Sequence, residues 1–230
     1  LMLGGCGVKK EKEADSELPK IVIGMDYFEP YSYQASDGEY KGIDVELAKE
    51  AFRRLGYRPK FENIVWEDKD ELLADGTVDC LWSSYSMNGR EDKYQWAGPY
   101  LYSRQMVVVK NESEIQTLSD LKGKRIAVQA TTKAEDLFLH NIKSDLPQMQ
   151  QVNCFSTTNE IYAALRKSYV DAIAGHEAML GSLVKEGKDA YRMLDESIYK
   201  SELGVAFKKG THEEVAADLT ETLKKLQRER

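Results

Sequence analysis

The stretch 79–99 constrains the fold more than any other part of the chain, and it reads DCLWSSYSMNGREDKYQWAGP. It begins as an apolar run, as a buried strand does, and then presents four consecutive hydroxyl side chains: Ser83, Ser84, Tyr85 and Ser86. Arg90 follows an Asn-Gly dipeptide, which usually marks a turn. Ligands of open α/β sheets bind outside the carboxyl ends of strands, and the planar arginine fork matches a carboxylate. The stretch therefore predicts a ligand-binding strand end. The plainer alternative is a surface turn with a solvated arginine.

Strands and helices alternate on both sides of this stretch, which predicts an α/β fold of βαβ units with a mainly parallel sheet. Before it, the patterns predict strands at 21–24 and 58–63, a helix at 45–55 capped by Asp44, and a short acidic helix near 68–75. After it, they predict strands at 125–128, 170–174 and 191–194, and helices at 134–142, 159–167 and 177–186. A final amphipathic helix at 212–227 should pack on the first half of the chain.

Two apolar segments, 106–109 and 203–207, are predicted to cross between two lobes. Lobe one then comprises residues 19–108 and 203–230, and lobe two comprises residues 109–202. The two lobes show a weak sequence similarity, because a Val-Asp pair begins a predicted strand after a helix in each of them, at Val78-Asp79 and at Val170-Asp171. Residues 7–18 are highly charged and lack aromatic side chains, which predicts a solvated tether, so residues 1–18 as a whole lie outside the two lobes.

Two further groups of side chains are candidates for ligand contact. The loop after the first predicted strand brings four aromatic side chains close to Asp26: Tyr27, Phe28, Tyr31 and Tyr33. We expect these rings to be exposed, and they either stack on a ligand or cover a sheet edge. Thr131 and Thr132 precede the helix predicted at 134–142, where free backbone N–H groups can bind an anion. The alternative there is an ordinary threonine N-cap.

Composition and spacing exclude several classes of function. The 230-residue chain has a net charge of −7, and no run of Lys or Arg forms a basic stripe for nucleic acid. No apolar stretch approaches the length of a membrane span. The three histidines and three cysteines lack metal-ligand spacing, and neither a glycine-rich phosphate loop nor a Gly-x-Ser-x-Gly elbow is present. We therefore expect no metal, no cofactor and no nucleic-acid partner.

Cys6 is the one cysteine placed to carry a modification. The sequence Leu3-Gly4-Gly5-Cys6 has the form of a bacterial lipobox, in which small residues precede a cysteine that becomes the lipidated N-terminus. This interpretation makes residues 1–5 the remnant of a signal sequence. The alternative is a chance match.

The chain resembles the extracellular solute-binding proteins of amino-acid ABC transporters, the polar amino-acid family, from residue 21 to about residue 226. Besides the stretch that contains Arg90, the matching segments are Tyr27-Phe28-Glu29-Pro30-Tyr31, Gly42-Ile43-Asp44-Val45, Trp96-Ala97-Gly98-Pro99-Tyr100, Asp120-Leu121-Lys122-Gly123-Lys124 and Val170-Asp171-Ala172. The resemblance implies a monomer with the two-lobed type II periplasmic-binding-protein fold, a central cleft and a two-segment hinge. It further implies that the protein is no enzyme. It would be lipid-anchored outside the cytoplasm, capture a free amino acid by lobe closure, and deliver it to an ABC permease.

The resemblance also assigns roles within the cleft. Arg90 would clamp the α-carboxylate, aided by Ser84, Ser86 and the backbone N–H of Thr132. The pocket for the ligand's side chain would be lined by Phe28, Tyr31, Trp66 and Tyr85. Asp26 matches the family position that meets polar or cationic side chains.

The chain departs from the family pattern at two positions. Asn88 stands where the family usually has Thr, with one residue fewer before Arg90. His176 stands where the family has an Asp that pairs with the ligand's α-ammonium group. We expect either Glu177, favoured for its charge, or a neutral His176 to accept the amine. Affinity would then fall near pH 4–5 or near about 6.5, respectively. Alternatively, His176 only caps the helix that follows.

Two other classes remain alternatives on the same fold. A dehydratase-type enzyme would need an acid or base in the cleft, for which His176 and Glu177 are the local candidates. The ligand-sensing domain of a receptor would continue into a transmembrane segment, and the end of this chain at Arg230 disfavours it.

Overall fold

The computed structural model describes residues 18–142 and 145–229. Its strands are β1 (Lys20–Met25), β2 (Tyr33–Gln34), β3 (Tyr40–Lys41), β4 (Arg58–Asn63), β5 (Cys80–Ser86), β6 (Tyr94–Lys110), β7 (Arg125–Gln129), β8 (Gln151–Phe155), β9 (Ala172–His176), β10 (Tyr191–Met193) and β11 (Tyr199–Lys208). Its α-helices are α1 (Ile43–Arg54), α2 (Lys69–Ala74), α3 (Lys133–Phe138), α4 (Thr158–Arg166), α5 (Glu177–Glu186) and α6 (Glu213–Arg228). Short 3₁₀ turns lie at Trp66–Asp68, Leu118–Leu121 and Lys188–Ala190.

The first lobe is built around β1, which pairs in parallel with β4 on one side and β5 on the other. Strand β11 runs antiparallel to β5 and also pairs with β6. All seven residues of β5 are buried, because the strand lies in the middle of this sheet. The predicted α/β alternation is confirmed here, and it places the ends of β1 and β5 side by side.

The second lobe repeats the arrangement around β7, which pairs in parallel with β8 and β9. A Val-Asp pair has the same role in each lobe. The Asp79 carboxylate accepts the N–H of Val22 at 2.7 Å, and the Asp171 carboxylate accepts the N–H of Arg125 at 2.8 Å. Each aspartate therefore ties the start of one strand to the neighbouring parallel strand, which explains why the pair recurs.

The lobes are joined by two long strands, β6 and β11. Strand β6 pairs with β11 from Tyr94 to Gln105 and with β9 from Gln105 to Val109, so it changes partner at Gln105. As a result the two lobes share one continuous mixed sheet in the order β4-β1-β5-β11-β6-β9-β7-β8. The predicted two-lobed α/β fold with two crossing segments is confirmed.

The last helix, α6, packs on β6 and α1 in lobe one, as the apolar spacing predicts. Its buried face includes Ala216, Leu219 and Leu223. Near its end the Gln227 side chain donates to the carbonyl of Tyr100 at 2.6 Å. Among the described residues, no helix is both long and apolar enough to cross a membrane.

Several sequence predictions need correction. Asp44 does not cap α1, because the helix begins at Ile43 and Gly42 is its N-cap. Gly42 has φ of 121°, and a Cβ there would lie 2.3 Å from the carbonyl oxygen of Tyr31, so only glycine fits. The helix predicted at 134–142 is the shorter α3, and the strand predicted at 170–174 is shifted to Ala172–His176.

The aromatic loop also differs from expectation. Phe28 and Tyr31 are buried rather than exposed, Tyr33 is half-buried, and only Tyr27 is exposed. The loop folds back on itself through hydrogen bonds between Phe28 and Ser32, which turn the two inner rings toward the interior.

Candidate ligand-binding site

A small cavity, with about 20 Å³ of free space, lies between the lobes at the carboxyl ends of β1, β5 and β7. Lobe one lines it with Asp26, Phe28, Trp66 and residues 83–86, and lobe two with Gln129, Thr132, Lys133 and His176. The ends of buried strands from both lobes therefore meet at one place, as ligand binding in an open α/β sheet requires.

The end of β5 is held in an unusual conformation by a buried aspartate. Ser84 has φ of 43°, in the left-handed region that non-glycine residues seldom adopt. Its N–H donates to the Asp44 carboxylate at 2.5 Å, and that carboxylate also accepts the hydroxyl of Tyr100 at 2.8 Å. This contact bends the strand so that its hydroxyls point to the cavity. The buried Ser86 hydroxyl has no hydrogen-bond partner among the described residues, so it is free to bind a ligand.

Arg90 follows the predicted turn, in which its N–H donates to the carbonyl of Met87 at 2.9 Å. The guanidinium lies 5.2 Å from the centre of the Tyr85 ring, and one of its nitrogens donates to the carbonyl of Ser86 at 3.2 Å. Another donates across the cleft to Asp136 of α3 at 2.6 Å. The arginine is therefore fixed beside the cavity by both lobes, although it is not itself part of the cavity wall.

Lys133 of α3 reaches the same region from lobe two. Its ammonium group donates to the carbonyl of Asn88 at 2.6 Å and lies 3.3 Å from the Asp136 carboxylate. The side chain is only 2% exposed, and burial lowers its pKa. Asn88 also accepts the N–H of Glu202 through its side chain at 2.7 Å, so the residue that departs from the family pattern contacts both the crossing strand β11 and lobe two.

Aromatic rings form the lobe-one side of the cavity. Trp66 and Tyr85 meet edge to face with their centres 5.0 Å apart, and the Tyr85 hydroxyl lies 2.9 Å from that of Tyr94. Phe28 borders the cavity on another side. Tyr31 lies behind it, does not line the cavity, and donates to the Ser103 hydroxyl at 3.3 Å.

Asp26 is the acidic side chain of the cavity wall. One carboxylate oxygen accepts the N–H of Tyr27 at 2.7 Å, and the other accepts the side-chain amide of Gln129, across the cleft, at 2.6 Å. Burial raises the pKa of Asp26 to about 6, against the lowering effect of these two hydrogen bonds. The cavity therefore becomes more negative as pH rises through about 6.

His176 lines the cavity from lobe two, whereas Glu177 does not. Burial, aided by the positive charge of Arg90, lowers the pKa of His176 to about 4, so the ring is neutral at physiological pH. Its Nδ1 lies 3.0 Å from the Ser103 hydroxyl, and its ring meets that of Phe28 edge to face. Glu177 is instead bound by Arg104, whose Nε donates to it at 2.8 Å.

Thr131 and Thr132 have different surroundings. Thr132 lines the cavity, and its hydroxyl donates to the carbonyl of Gln129 at 2.7 Å. The N–H of Thr131 donates to Glu135 rather than to the cavity. The Thr131 hydroxyl accepts the buried ammonium of Lys69 from lobe one at 2.8 Å. Desolvation lowers the pKa of Lys69 to about 8.

Sequence reasoning missed four residues that shape the site: Asp44, Gln129, Lys133 and Asp136. Gln129 and Lys133 flank the two threonines, so their position beside a predicted strand end could have identified them. Asp44 and Asp136 lie within helices, and no local pattern indicates that they reach the cleft. The predicted lipidation site, Cys6, lies outside the described residues.

The fold and the cleft together define a two-lobed binding protein, and comparison with known proteins agrees. A model of the bacterial extracellular solute-binding proteins, family 3, matches residues 21–230. The chain therefore belongs to that family of extracellular solute-binding proteins.

Relatives with assigned ligands match most of the chain. It is 28% identical over 201 residues to the L-cystine-binding protein TcyJ of Escherichia coli (strain K12), which covers 86% of this chain and 74% of that protein. The glutamate-binding protein GluB of Corynebacterium efficiens is 26% identical over 212 residues, covering 85% and 69%. A substrate-binding protein of an ABC uptake transporter from Streptococcus pneumoniae, solved with bound histidine, matches with a TM-score of 0.82 at 25% identity, covering 98% and 93%.

Proposed function

We propose that this protein captures a free amino acid between its lobes and delivers it to the membrane subunits of an ABC importer. The observation that carries the proposal is the cleft itself, in which Arg90 lies beside the cavity and can bind a carboxylate while Asp26 lines the cavity with a negative charge. Related solute-binding proteins with named amino-acid ligands support it.

Lobe closure around the ligand is part of the proposal. Hydrogen bonds that bridge the lobes beside the cavity include Arg90 to Asp136, Gln129 to Asp26, Lys69 to Thr131 and Lys133 to Asn88. A ligand that contacts both walls favours the closed arrangement, because it binds that arrangement more tightly than an open one. A guanidinium carries five N–H donors, so Arg90 can hold a ligand carboxylate while it keeps its contact with Asp136.

The site supports binding without chemical turnover. A dehydratase-type mechanism would need an acid or base in the cleft, and the two candidates were His176 and Glu177. His176 is neutral and packed among aromatic rings, and Glu177 is bound by Arg104 away from the cavity wall. Neither is placed as a catalytic group, so we propose a binding protein rather than an enzyme. As the family resemblance implies, we propose that it acts as a monomer.

A ligand screen tests the proposed function. Thermal denaturation should be measured with each of the twenty amino acids, L-cystine and L-ornithine. We expect at least one of them at 100 times its Kd to stabilise the folded protein by about 2.7 kcal/mol, seen as a higher melting temperature. The matched control is the same compound without its α-carboxylate, the corresponding amine, which should give no shift. If no amino acid raises the melting temperature, the proposal is wrong.

We further propose that the protein is held outside the cytoplasm by lipid on Cys6, on the basis of the lipobox-like sequence at residues 3–6. One acyl chain binds membranes weakly, whereas a diacylglyceryl group supplies the two chains that stable anchoring needs. When the gene is expressed with its own export signal, we expect the protein to stay with the cell membrane and the Cys6→Ala variant to be released. Equal release of both forms would contradict the anchor.

A further inference from the structure

The charge arrangement of the cleft limits what kind of amino acid it can hold. Among the described residues that line the cavity, Asp26 is the only carboxylate. Its two oxygens accept hydrogen bonds from a backbone N–H and from the neutral amide of Gln129, and none of the cations in residues 18–142 and 145–229 pairs with it. Asp26 is therefore available to pair with a positive group of the ligand.

Other acids near the cleft are already engaged. Asp136 is bound by Arg90 at 2.6 Å and by Lys133 at 3.3 Å. Glu177 is bound by Arg104, and Glu67 accepts the Ser156 hydroxyl at 2.5 Å. To pair with a second carboxylate besides Asp26, a ligand cation would have to displace one of these partners.

Lobe two adds no negative charge to the cavity wall. Where the family pattern places an aspartate, His176 presents a neutral ring that is 6% exposed and packed against Phe28. Lys133 contributes a positive charge to the same wall, which disfavours a second cation by repulsion. The α-ammonium of an amino acid therefore has Asp26 as its one anionic partner in the cavity wall.

We propose that this cleft selects amino acids whose side chains carry no net positive charge and rejects arginine, lysine and ornithine. This inference rests on the proposed capture of amino acids. With no carboxylate at position 176, Asp26 takes the ligand's ammonium here, rather than the ligand's side chain as the family resemblance implies. An amino acid with an uncharged side chain then places its carboxylate at Arg90 and its ammonium at Asp26, and each of its charges has a partner. A dibasic ligand brings one cation more than the wall can neutralise, and a desolvated charge without a partner is strongly unfavourable.

Titration calorimetry with the same set of amino acids tests the selectivity. We expect arginine, lysine and ornithine to bind at least about 100-fold more weakly than the tightest ligand in the set, because a buried charge would be left unpaired. If one of the three dibasic amino acids binds tightest, this inference is wrong while the proposed function stands. If nothing in the set binds, the proposed function fails as well.

Two substitutions separate charge from shape. Asp26→Asn keeps the size of the side chain but removes its charge, and we expect affinity for the tightest ligand to fall at least about 30-fold. His176→Asp adds a carboxylate to lobe two, and it should improve arginine binding at least about tenfold relative to wild type, whereas the uncharged control His176→Asn should not. Wild-type affinity in Asp26→Asn, with a cooperative thermal transition as proof of folding, would overturn the inference even if His176→Asp does not fold.

Discussion

Arg90→Ala is expected to remove amino-acid binding and to leave the fold intact. The guanidinium lies beside the end of β5, where it donates to the carbonyl of Ser86 in lobe one and to Asp136 in lobe two. Without it, the ligand's carboxylate is desolvated with no bidentate partner, which should cost about 2–5 kcal/mol of binding free energy. Titration calorimetry with the tightest amino acid from the ligand screen measures the loss.

Two further variants control for side effects of this change. Arg90→Lys keeps the charge but loses the planar fork, so it should recover only part of the affinity. Arg104→Ala removes an arginine that pairs with Glu177 at an exposed position and should bind nearly as well as wild type. If the Arg90→Ala variant binds with wild-type affinity, Arg90 does not bind the ligand's carboxylate, and this assignment is wrong.

Asp44→Ala is expected to destabilise the whole protein by about 2–4 kcal/mol. The side chain is buried at 1% exposure and accepts hydrogen bonds from the Ser84 N–H and the Tyr100 hydroxyl. Removing the carboxylate leaves two buried donors without a hydrogen-bond partner. The variant no longer has to bury a carboxylate, but this gain offsets only part of the cost. Urea unfolding measures the change, and the exposed Asp37→Ala variant, whose partner is Lys41, should leave stability nearly unchanged.

The pH dependence of the free energy of unfolding gives a second test of the role of Asp44. Burial raises the pKa of Asp44 to about 7, so the folded protein holds this proton more tightly than the unfolded chain does. The contribution of Asp44 to the free energy of unfolding is fully present below its pKa in the unfolded chain, about 3.9. It is lost as pH rises through about 7, its pKa in the folded protein. The stability of wild type relative to Asp44→Asn should therefore decrease between pH 4 and pH 8. A constant difference would contradict the assignment.

The general plan of the fold followed from local patterns in the chain. The apolar run that ends in hydroxyls at β5, the repeated Val-Asp pairs and the apolar face of α6 each involve residues close together in sequence. Such patterns reflect backbone propensity and burial directly, which is why the alternation of strands and helices, the crossing segments and the last helix could be predicted. The boundaries were less accurate, as at α3, because helix ends depend on contacts outside the segment.

The site was only partly predictable, because its key contacts join distant segments. Asp44 meets Ser84 across 40 residues, Arg90 meets Asp136 across 46, and Asp26 meets Gln129 across 103. An aspartate in the first turn of a helix has the same local signature whether it caps the helix or holds a neighbouring strand. Sequence reasoning therefore favoured Glu177 for the ligand's amine, whereas the folded chain pairs Glu177 with Arg104.

The sequence by itself determined that this protein is a two-lobed α/β binding protein with hydroxyls and Arg90 at a strand end, since residue type and periodicity are local properties. The tertiary structure alone decided which charges face the ligand. Burial and pairing depend on every element packed around a group, and they leave Asp26 charged without a cationic partner, keep His176 neutral, and engage Asp136 with Arg90. The balance of charge in the cleft is therefore a property of the assembled lobes rather than of any one segment.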